Sequence, residues 1–308
     1  MRTREGEVSP FVSLAEITEI ELLTVRRMRE ISMGEHRSNS QGSGFDFVGL
    51  RDWQAGDKPS SIDWAQSTLN NFAPLVVREF EQHSTATVVA IADKSLSTRC
   101  GIDGIPIAAI VARAIATLGL SAVFFQDPFG LLTFEAGFEN LAGVPPRTGK
   151  SHVVHCLEAY QHGHGLQEVR RAGGFGTTLA GYLRRRSLLP VISDFLFDDA
   201  AGLIRELASL NGAHDVFVIL VDSAFAFELH ASSAGWIEMF DVETGRARIV
   251  SRQALAQMGD RIRDWQSEVR RLAHDAEIDV VQVGLDQTQS DIALSQFVAE
   301  RRLRKTSG

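Results

Sequence analysis

Cysteine is nearly absent from this chain: Cys100 and Cys156 are the only two among 308 residues. Two thiols cannot staple a chain of this length, so a disulfide scaffold is excluded and a reducing compartment is expected. Proline is sparse as well, at eight, and no stretch is of low complexity, which excludes a Pro-rich spacer. No apolar run approaches the roughly 18 residues of a membrane-spanning helix. Met1-Arg2-Thr3-Arg4-Glu5-Gly6-Glu7 has no apolar stretch behind it, so no signal peptide is expected. Positive charge is also short, with 31 Lys and Arg against 39 Asp and Glu and a net charge of −8. That balance argues against a general binder of nucleic acid or anionic membrane, whose affinity rests on a basic surface. The expectation is a soluble, cytoplasmic protein with no nucleic-acid partner and no membrane span.

What is present is ordinary globular composition, 44% hydrophobic and 23% charged, enough for one large or two ordinary domains. Apolar positions from Leu14 to Ile31 predict an amphipathic helix over 12–32, with Ser13 as its cap. Gly34 to Gly44 is rich in Ser and Gly and reads as a loop. Short alternating pieces over 45–83 surround the turn signal Gly56-Asp57-Lys58-Pro59. Residues 1–83 are therefore expected to form an N-terminal helix and a β-rich annex. From 84 to 308 the pattern changes to strand 86–92, helix 104–119, a strand pair at 121–126 and 130–135, and helices at 150–160 and 178–186. Strand 188–193, helix 200–209, strand 214–222, a hairpin of 235–240 with 246–250, helix 253–274, strand 278–284 and helix 290–303 follow. Such alternation predicts an α/β fold with a doubly wound, mostly parallel sheet. In open sheets of that kind ligands bind beyond the carboxyl ends of the strands, where the strand order reverses.

Asp93-Lys94-Ser95-Leu96-Ser97 follows the apolar run Thr87-Val88-Val89-Ala90-Ile91-Ala92. A carboxylate and two hydroxyls thus fall at alternate positions just past a buried strand. Hard divalent cations take such oxygen ligands, though Asp and Ser are equally at home in turns. Two further segments supply matching oxygens. Leu188-Leu189-Pro190-Val191-Ile192-Ser193-Asp194 is a second buried strand ending in a carboxylate, and Gly176-Thr177-Thr178 opens a helix with a hydroxyl. The candidate metal ligands are Asp93, Ser95, Ser97, Thr177 and Asp194, with Thr178 as the alternative to Thr177. Two carboxylates and three neutral hydroxyls carry a formal charge of about −2, which a divalent cation neutralises.

In order and context these residues resemble a von Willebrand factor A domain with a metal-ion-dependent adhesion site, which implies a Rossmann-like fold. The resemblance narrows to the bacterial family once filed as domain of unknown function fifty-eight. It is carried by Gly42-Ser43-Gly44-Phe45-Asp46-Phe47, Arg51-Asp52-Trp53-Gln54-Ala55-Gly56-Asp57, Ile62-Asp63-Trp64 and Val77-Arg78-Glu79 before the metal motif, and by Phe240-Asp241-Val242-Glu243-Thr244-Gly245 after it. Ser60-Ser61 and Thr68-Leu69 stand where members usually carry arginines, and the transmembrane helices that begin many members are missing here. The resemblance implies a bound divalent metal, Mg²⁺ first and Mn²⁺ or Ca²⁺ as alternatives. It also implies an open coordination position for a partner's acidic residue. Its members commonly accompany MoxR-type AAA+ ATPases, so a non-enzymatic adaptor or co-chaperone acting with such an ATPase on a client is expected. Two alternatives stay open: a metal-dependent hydrolase using a bound water, and a structural domain with an empty site.

Other motifs weigh less. Gly149-Lys150-Ser151 imitates a phosphate loop, but the Gly required at 144 is Val144. His152, His155, Cys156, His162 and His164 are dense, yet their spacing suits ordinary helix and loop positions better than zinc. Trp53 and Trp64 are expected to pack the annex onto the sheet, and Arg301-Arg302-Leu303-Arg304-Lys305 to be a solvated helix end.

Overall fold

The structure, a computed structural model, describes residues 10–35, 46–55, 57, 59, 62–69, 74–81, 86–102, 104–135, 140–171, 173–183, 185–197, 199–227, 235–241 and 246–306. Its elements run α1 (Leu14–Glu35), β1 (Asp46–Asp52), α2 (Trp64–Leu69), β2 (Val76–Glu81), β3 (Thr87–Asp93), β4 (Gly101–Ile102), β5 (Ile105–Pro106), α3 (Ile107–Phe124), β6 (Phe129–Phe134), β7 (Ala142–Arg147) and α4 (Lys150–His162). They continue with β8 (Gln167–Glu168), α5 (Phe175–Tyr182), β9 (Ser187–Ser193), α6 (Ala200–Leu210), β10 (Asp215–Val221), β11 (Trp236–Asp241), β12 (Arg246–Ser251), α7 (Arg252–Asp275), β13 (Asp279–Val283) and α8 (Gln287–Thr306). The chain divides into two units, one of residues 1–31 and 85–302, the other of 32–84 and 303–308. Helix α1, expected in the annex, groups instead with the larger unit, because Val12, Ile17 and Ile20 are buried in one of its cores.

The larger unit is built on a seven-stranded sheet in the order β13-β10-β9-β3-β6-β7-β8. The first five strands are parallel, and β7 and β8 add an antiparallel edge. The chain winds outward from β3 through β6 to β8, then crosses to β9 and winds the other way. The order therefore reverses between β3 and β9, and the crevice beyond their carboxyl ends begins at Asp93 and Ser193. This is the α/β, Rossmann-like architecture expected from the alternation of elements.

Side chains along the central strands alternate between two cores, as a period of two requires. Val88, Ala90 and Ala92 of β3 face one core, with α1, α3, α4 and α8. Val89 and Ile91 face the other, with α5, α6 and α7. Strands β9 and β10 divide in the same way, with Ile192 and Phe217 on the first face and Val191 and Val218 on the second. Burial on both faces is why these strands read as continuous apolar runs. Pro190 lacks an N–H, and the recorded β3–β9 ladder pairs Val88 with Leu188 and Ile91 with Val191 but skips the positions between.

Four sequence-based expectations change. The strand expected over 121–126 is the last turn of α3: the Ser121 hydroxyl donates to the Thr117 carbonyl at 2.7 Å, and the helix ends before Gln126, at φ +58°. A short apolar run fits a buried helix as well as a strand. At 18 residues α3 is also long and apolar enough to cross a membrane, contrary to the reading that no stretch is, and 83% of it is buried inside the fold. No strand is expected between 135 and 150, yet that segment contains β7, where Pro145 and Pro146 are accommodated by a register shift between Phe129 and Leu131. Arg301 and Arg302 are not solvated. Arg301 pairs with Asp215 and Asp279 and lies over the Phe217 and Phe297 rings, while Arg302 holds Asp127 at 3.0 Å.

The smaller unit pairs β1 with β2 in antiparallel register, with an irregularity between Phe47 and Gly49. Its signature residues have local work. Arg51 grips Asp57 through two hydrogen bonds of 2.7 and 2.8 Å, and that guanidinium pulls the Asp57 carboxyl down to about 2. Asp63 caps α2 by accepting from the Ala65 and Gln66 amides at 3.0 and 3.1 Å. Trp53 and Trp64, expected as packing residues, are 41% and 59% exposed.

The C-terminal helix is fastened by a buried ion pair. Asp291 accepts from Arg113 Nε at 2.9 Å and from the Thr117 hydroxyl at 2.8 Å. Asp291→Ala would leave a guanidinium that is only 5% exposed with Glu16, at 3.7 Å, as its remaining carboxylate, and a loss of up to about 3–5 kcal/mol is expected. The double variant Arg113→Met/Asp291→Leu is expected to recover most of it. Urea unfolding checks both values, and a single-variant loss below about 1 kcal/mol contradicts the assignment.

Candidate functional site

Strand β3 delivers Asp93 to the crevice with its side chain buried. One carboxylate oxygen, Oδ1, accepts the Ser95 amide at 2.9 Å, which bends the chain into a 3₁₀ turn over Leu96–Arg99. The bend brings the Ser95 and Ser97 hydroxyls to 3.0 Å from one another. The turn is closed by the Thr98 hydroxyl, which donates to the Ser95 carbonyl at 2.7 Å. From α4, the buried Tyr160 hydroxyl donates to the Asp93 carbonyl at 2.8 Å and fixes the strand end from below.

Strand β9 delivers Ser193 and Asp194 beside it. The Ser193 hydroxyl donates to Asp93 Oδ2 at 2.7 Å and accepts the Phe195 amide at 2.9 Å, so one side chain joins the two strand ends. Both Asp93 oxygens thus already accept a hydrogen bond. Asp194 differs. Its Oδ1 accepts the Leu196 amide at 3.1 Å, while its buried Oδ2 has no hydrogen-bond partner. The next residue, Phe195, holds φ +57° although it is a bulky aromatic. Such backbone costs about 1–3 kcal/mol and persists only where its surroundings enforce it. Here the enforcing groups are Ser193 on the Phe195 amide, and Trp265 Nε1 with the Phe197 amide on its carbonyl, at 2.8 and 2.9 Å.

Burial raises the Asp194 carboxyl to about 7, and the neighbouring Asp93 charge pushes it in the same direction, against the pull of the Leu196 amide and Ser223. Burial also raises Asp93. Two carboxylates share a desolvated corner with no cation paired to them among the described residues. The donor set is all oxygen, which suits a hard ion such as Mg²⁺, Mn²⁺ or Ca²⁺ better than zinc. An unsatisfied buried carboxylate oxygen beside a second carboxylate is the fit such an ion requires.

Asp93, Ser95, Ser97 and Asp194 are therefore brought together. Thr177 stands exposed in the first turn of α5 and forms no hydrogen bond to them, and the hydroxyl of Thr178, its alternative, donates to the Gly174 carbonyl at 2.9 Å. Among the described residues no group of three His, Cys, Asp or Glu is set to hold a metal, and the other oxygens beside the two carboxylates are hydroxyls. The histidine-rich segment does not converge. Cys156 lies 3.7 Å from His152 within α4, and burial pushes its thiol up to about 12. Sequence reasoning missed Ser193, Tyr160 and Trp265. Ser193 could have been found as the residue next to Asp194, but nothing in the spacing marks Tyr160 or Trp265.

The raised Asp194 pKa sets a sign for stability. Between its ordinary value of 3.8 and about 7 the folded state keeps a proton that the unfolded chain has lost. Stability from this group is therefore greatest at the acid end and falls as pH rises through that window. Cation-free protein is expected to have a higher unfolding midpoint at pH 5.5 than at pH 8. Asp194→Asn is expected to flatten this difference and to stabilise the protein at pH 8 by on the order of 1–3 kcal/mol. Thermal unfolding across pH checks both, and a wild-type midpoint that rises toward pH 8 while Asp194→Asn destabilises contradicts them.

The family described as Protein of unknown function DUF58 matches residues 49–272, more than half of the chain and both carboxylate-bearing strand ends. No curated protein matches it. With that match over residues 49–272, the chain belongs to the DUF58 family.

Proposed function

We propose that this protein is a non-enzymatic interaction module that recognises an acidic residue of a partner through a divalent cation held by Asp93, Asp194, Ser95 and Ser97. The observation that carries this reading is the buried Asp194 Oδ2, which lacks a partner beside a second buried carboxylate. Leaving a charged acceptor unmet in the interior is costly, and a cation removes that cost. Asp93 is locked on both oxygens by Ser95 and Ser193 and orients the hydroxyl pair. A divalent cation, Mg²⁺ first, would supply one open coordination position there.

A partner Asp or Glu completing that position makes a charge-assisted contact, strong when both sides are rigid. Both strand ends here are rigidly held. The DUF58 resemblance supports a MoxR-type AAA+ ATPase as the working partner, with a client protein matured or activated by the pair in the cytoplasm. Thr177, exposed at the start of α5, joins the ligand set only if that turn closes over the site. A hydrolase would need a base with a free acceptor beside the reacting water; Asp93 is engaged on both oxygens, and in this reading the free Asp194 Oδ2 is taken by the cation.

Calorimetric titration with MgCl₂ and MnCl₂ tests the reading. One-to-one binding is expected for the wild type, with no binding in Asp93→Ala. At 100-fold excess over Kd the cation is expected to stabilise the fold by about 2.7 kcal/mol. Partner capture is expected to fail with chelator and with Ser95→Ala. No binding by the wild type, binding that survives Asp93→Ala, or capture indifferent to Ser95→Ala overturns the proposal.

A further inference from the structure

The groups that hold the Asp194 loop in place come from a distant part of the chain. Trp265 of α7 donates its indole N–H to the Phe195 carbonyl at 2.8 Å. The adjacent Gln266, buried, donates from Nε2 to the Val221 carbonyl at 2.8 Å and toward the Ser223 hydroxyl at 3.4 Å. Two successive residues of one helix thus grip the chain after β9 and the chain after β10, on either side of a carboxylate with an unmet oxygen.

Phe195 is where that grip acts. It is the residue after Asp194 and holds a left-handed backbone that a phenylalanine rarely adopts. Were the backbone at Phe195 to relax, the Asp194 side chain would turn away from Asp93. Helix α7 is itself joined to the β11–β12 hairpin without an intervening loop. Ser251 ends β12 and caps α7, accepting the Ala254 amide at 3.2 Å. The hairpin carries Trp236 and Ile249 exposed on one face, since Trp236 pairs with Ser251 two positions from Ile249.

We infer that Trp265, seconded by Gln266, is a positioning residue for the cation site, so that the seating of α7 and of the hairpin fused to it sets cation affinity. The inference rests on the reading that Asp93 and Asp194 hold a cation. Groups that orient a metal ligand without touching the metal commonly control affinity by 10- to 100-fold, about what is asked of Trp265 here.

The test is Mg²⁺ calorimetry on the full chain, with cation-free thermal unfolding measured alongside. Trp265→Phe keeps an aromatic ring against the core while removing the N–H and part of the ring area, and the Phe195 carbonyl retains the Phe197 amide. The expected result is a Kd raised about 10-fold with an unfolding midpoint within about 2 °C of wild type. Trp236→Phe, on the exposed hairpin face, is expected to keep the wild-type Kd. Wild-type affinity in Trp265→Phe overturns the inference and leaves the cation reading standing. An affinity loss that merely tracks a lowered midpoint marks a structural role and also overturns it. If Trp265→Phe does not fold, Gln266→Met, which drops the contacts to Val221 and Ser223, is judged by the same criteria. Absence of Mg²⁺ binding by the wild type overturns the cation reading and this inference together.

Discussion

Two carboxylates are buried side by side at the ends of neighbouring parallel strands, and much of the surrounding structure answers to that constraint. Asp93 and Asp194 are each almost inaccessible to solvent, and the Asp93 charge makes Asp194 harder still to ionise. Like charges in a desolvated corner are tolerated only if protonated, neutralised by a cation, or locked by donors. Asp93 has the donors: the Ser95 amide and the Ser193 hydroxyl. Asp194 is held by the Leu196 amide on one oxygen, with Ser223 beside the carboxyl, and its Oδ2 has no hydrogen-bond partner. That asymmetry separates a group that organises the site from a group able to receive something.

The sheet makes the juxtaposition unavoidable. Because the winding reverses between β3 and β9, their carboxyl ends stand together with no crossover helix between them. The strands are buried on both faces, so their ends cannot drift, and each well-packed aliphatic side chain adds about 1.5–3 kcal/mol to hold them. Ala90 and Ala92 on one face of β3 keep the approach of the Ala-rich α3 close. Gly119 does the same between α3 and α4, where an added Cβ would stand 2.6 Å from Val153. Tyr160 of α4 thereby reaches the Asp93 carbonyl. Packing of ordinary apolar side chains thus sets the placement of a few oxygens. The strain at Phe195 is tolerated because three hydrogen bonds and a buried ring enforce it.

Most of the fold was legible because its strands obey simple patterns. The runs 88–92, 188–192 and 216–221 are unbroken apolar stretches, the mark of parallel strands covered on both faces. The ambiguous pieces were those where one composition serves two structures. Ser121 to Phe125 carries the aromatics and Val of a strand but continues α3, and Pro145-Pro146 hides an edge strand. Asp93, Ser95 and Ser97 were legible because alternation past a strand end is a local signal, and Asp194 because it ends a second such strand. Trp265 was not legible, since its role is a hydrogen bond across 70 residues to a main-chain carbonyl. The ion pairs of Arg301 and Arg302 were hidden for the same reason: long-range partners leave no trace in spacing.

The paired carboxylates and the two serine hydroxyls are proposed to form a single cation site. Anomalous diffraction at the manganese edge, from crystals grown with MnCl₂ near pH 8, tests this most directly. One peak is predicted in the crevice, bounded by Asp93, Ser95, Ser97 and Asp194 and facing the Asp194 Oδ2 atom. Diffraction that shows no peak there, or shows manganese only elsewhere on the molecule, would contradict the claim.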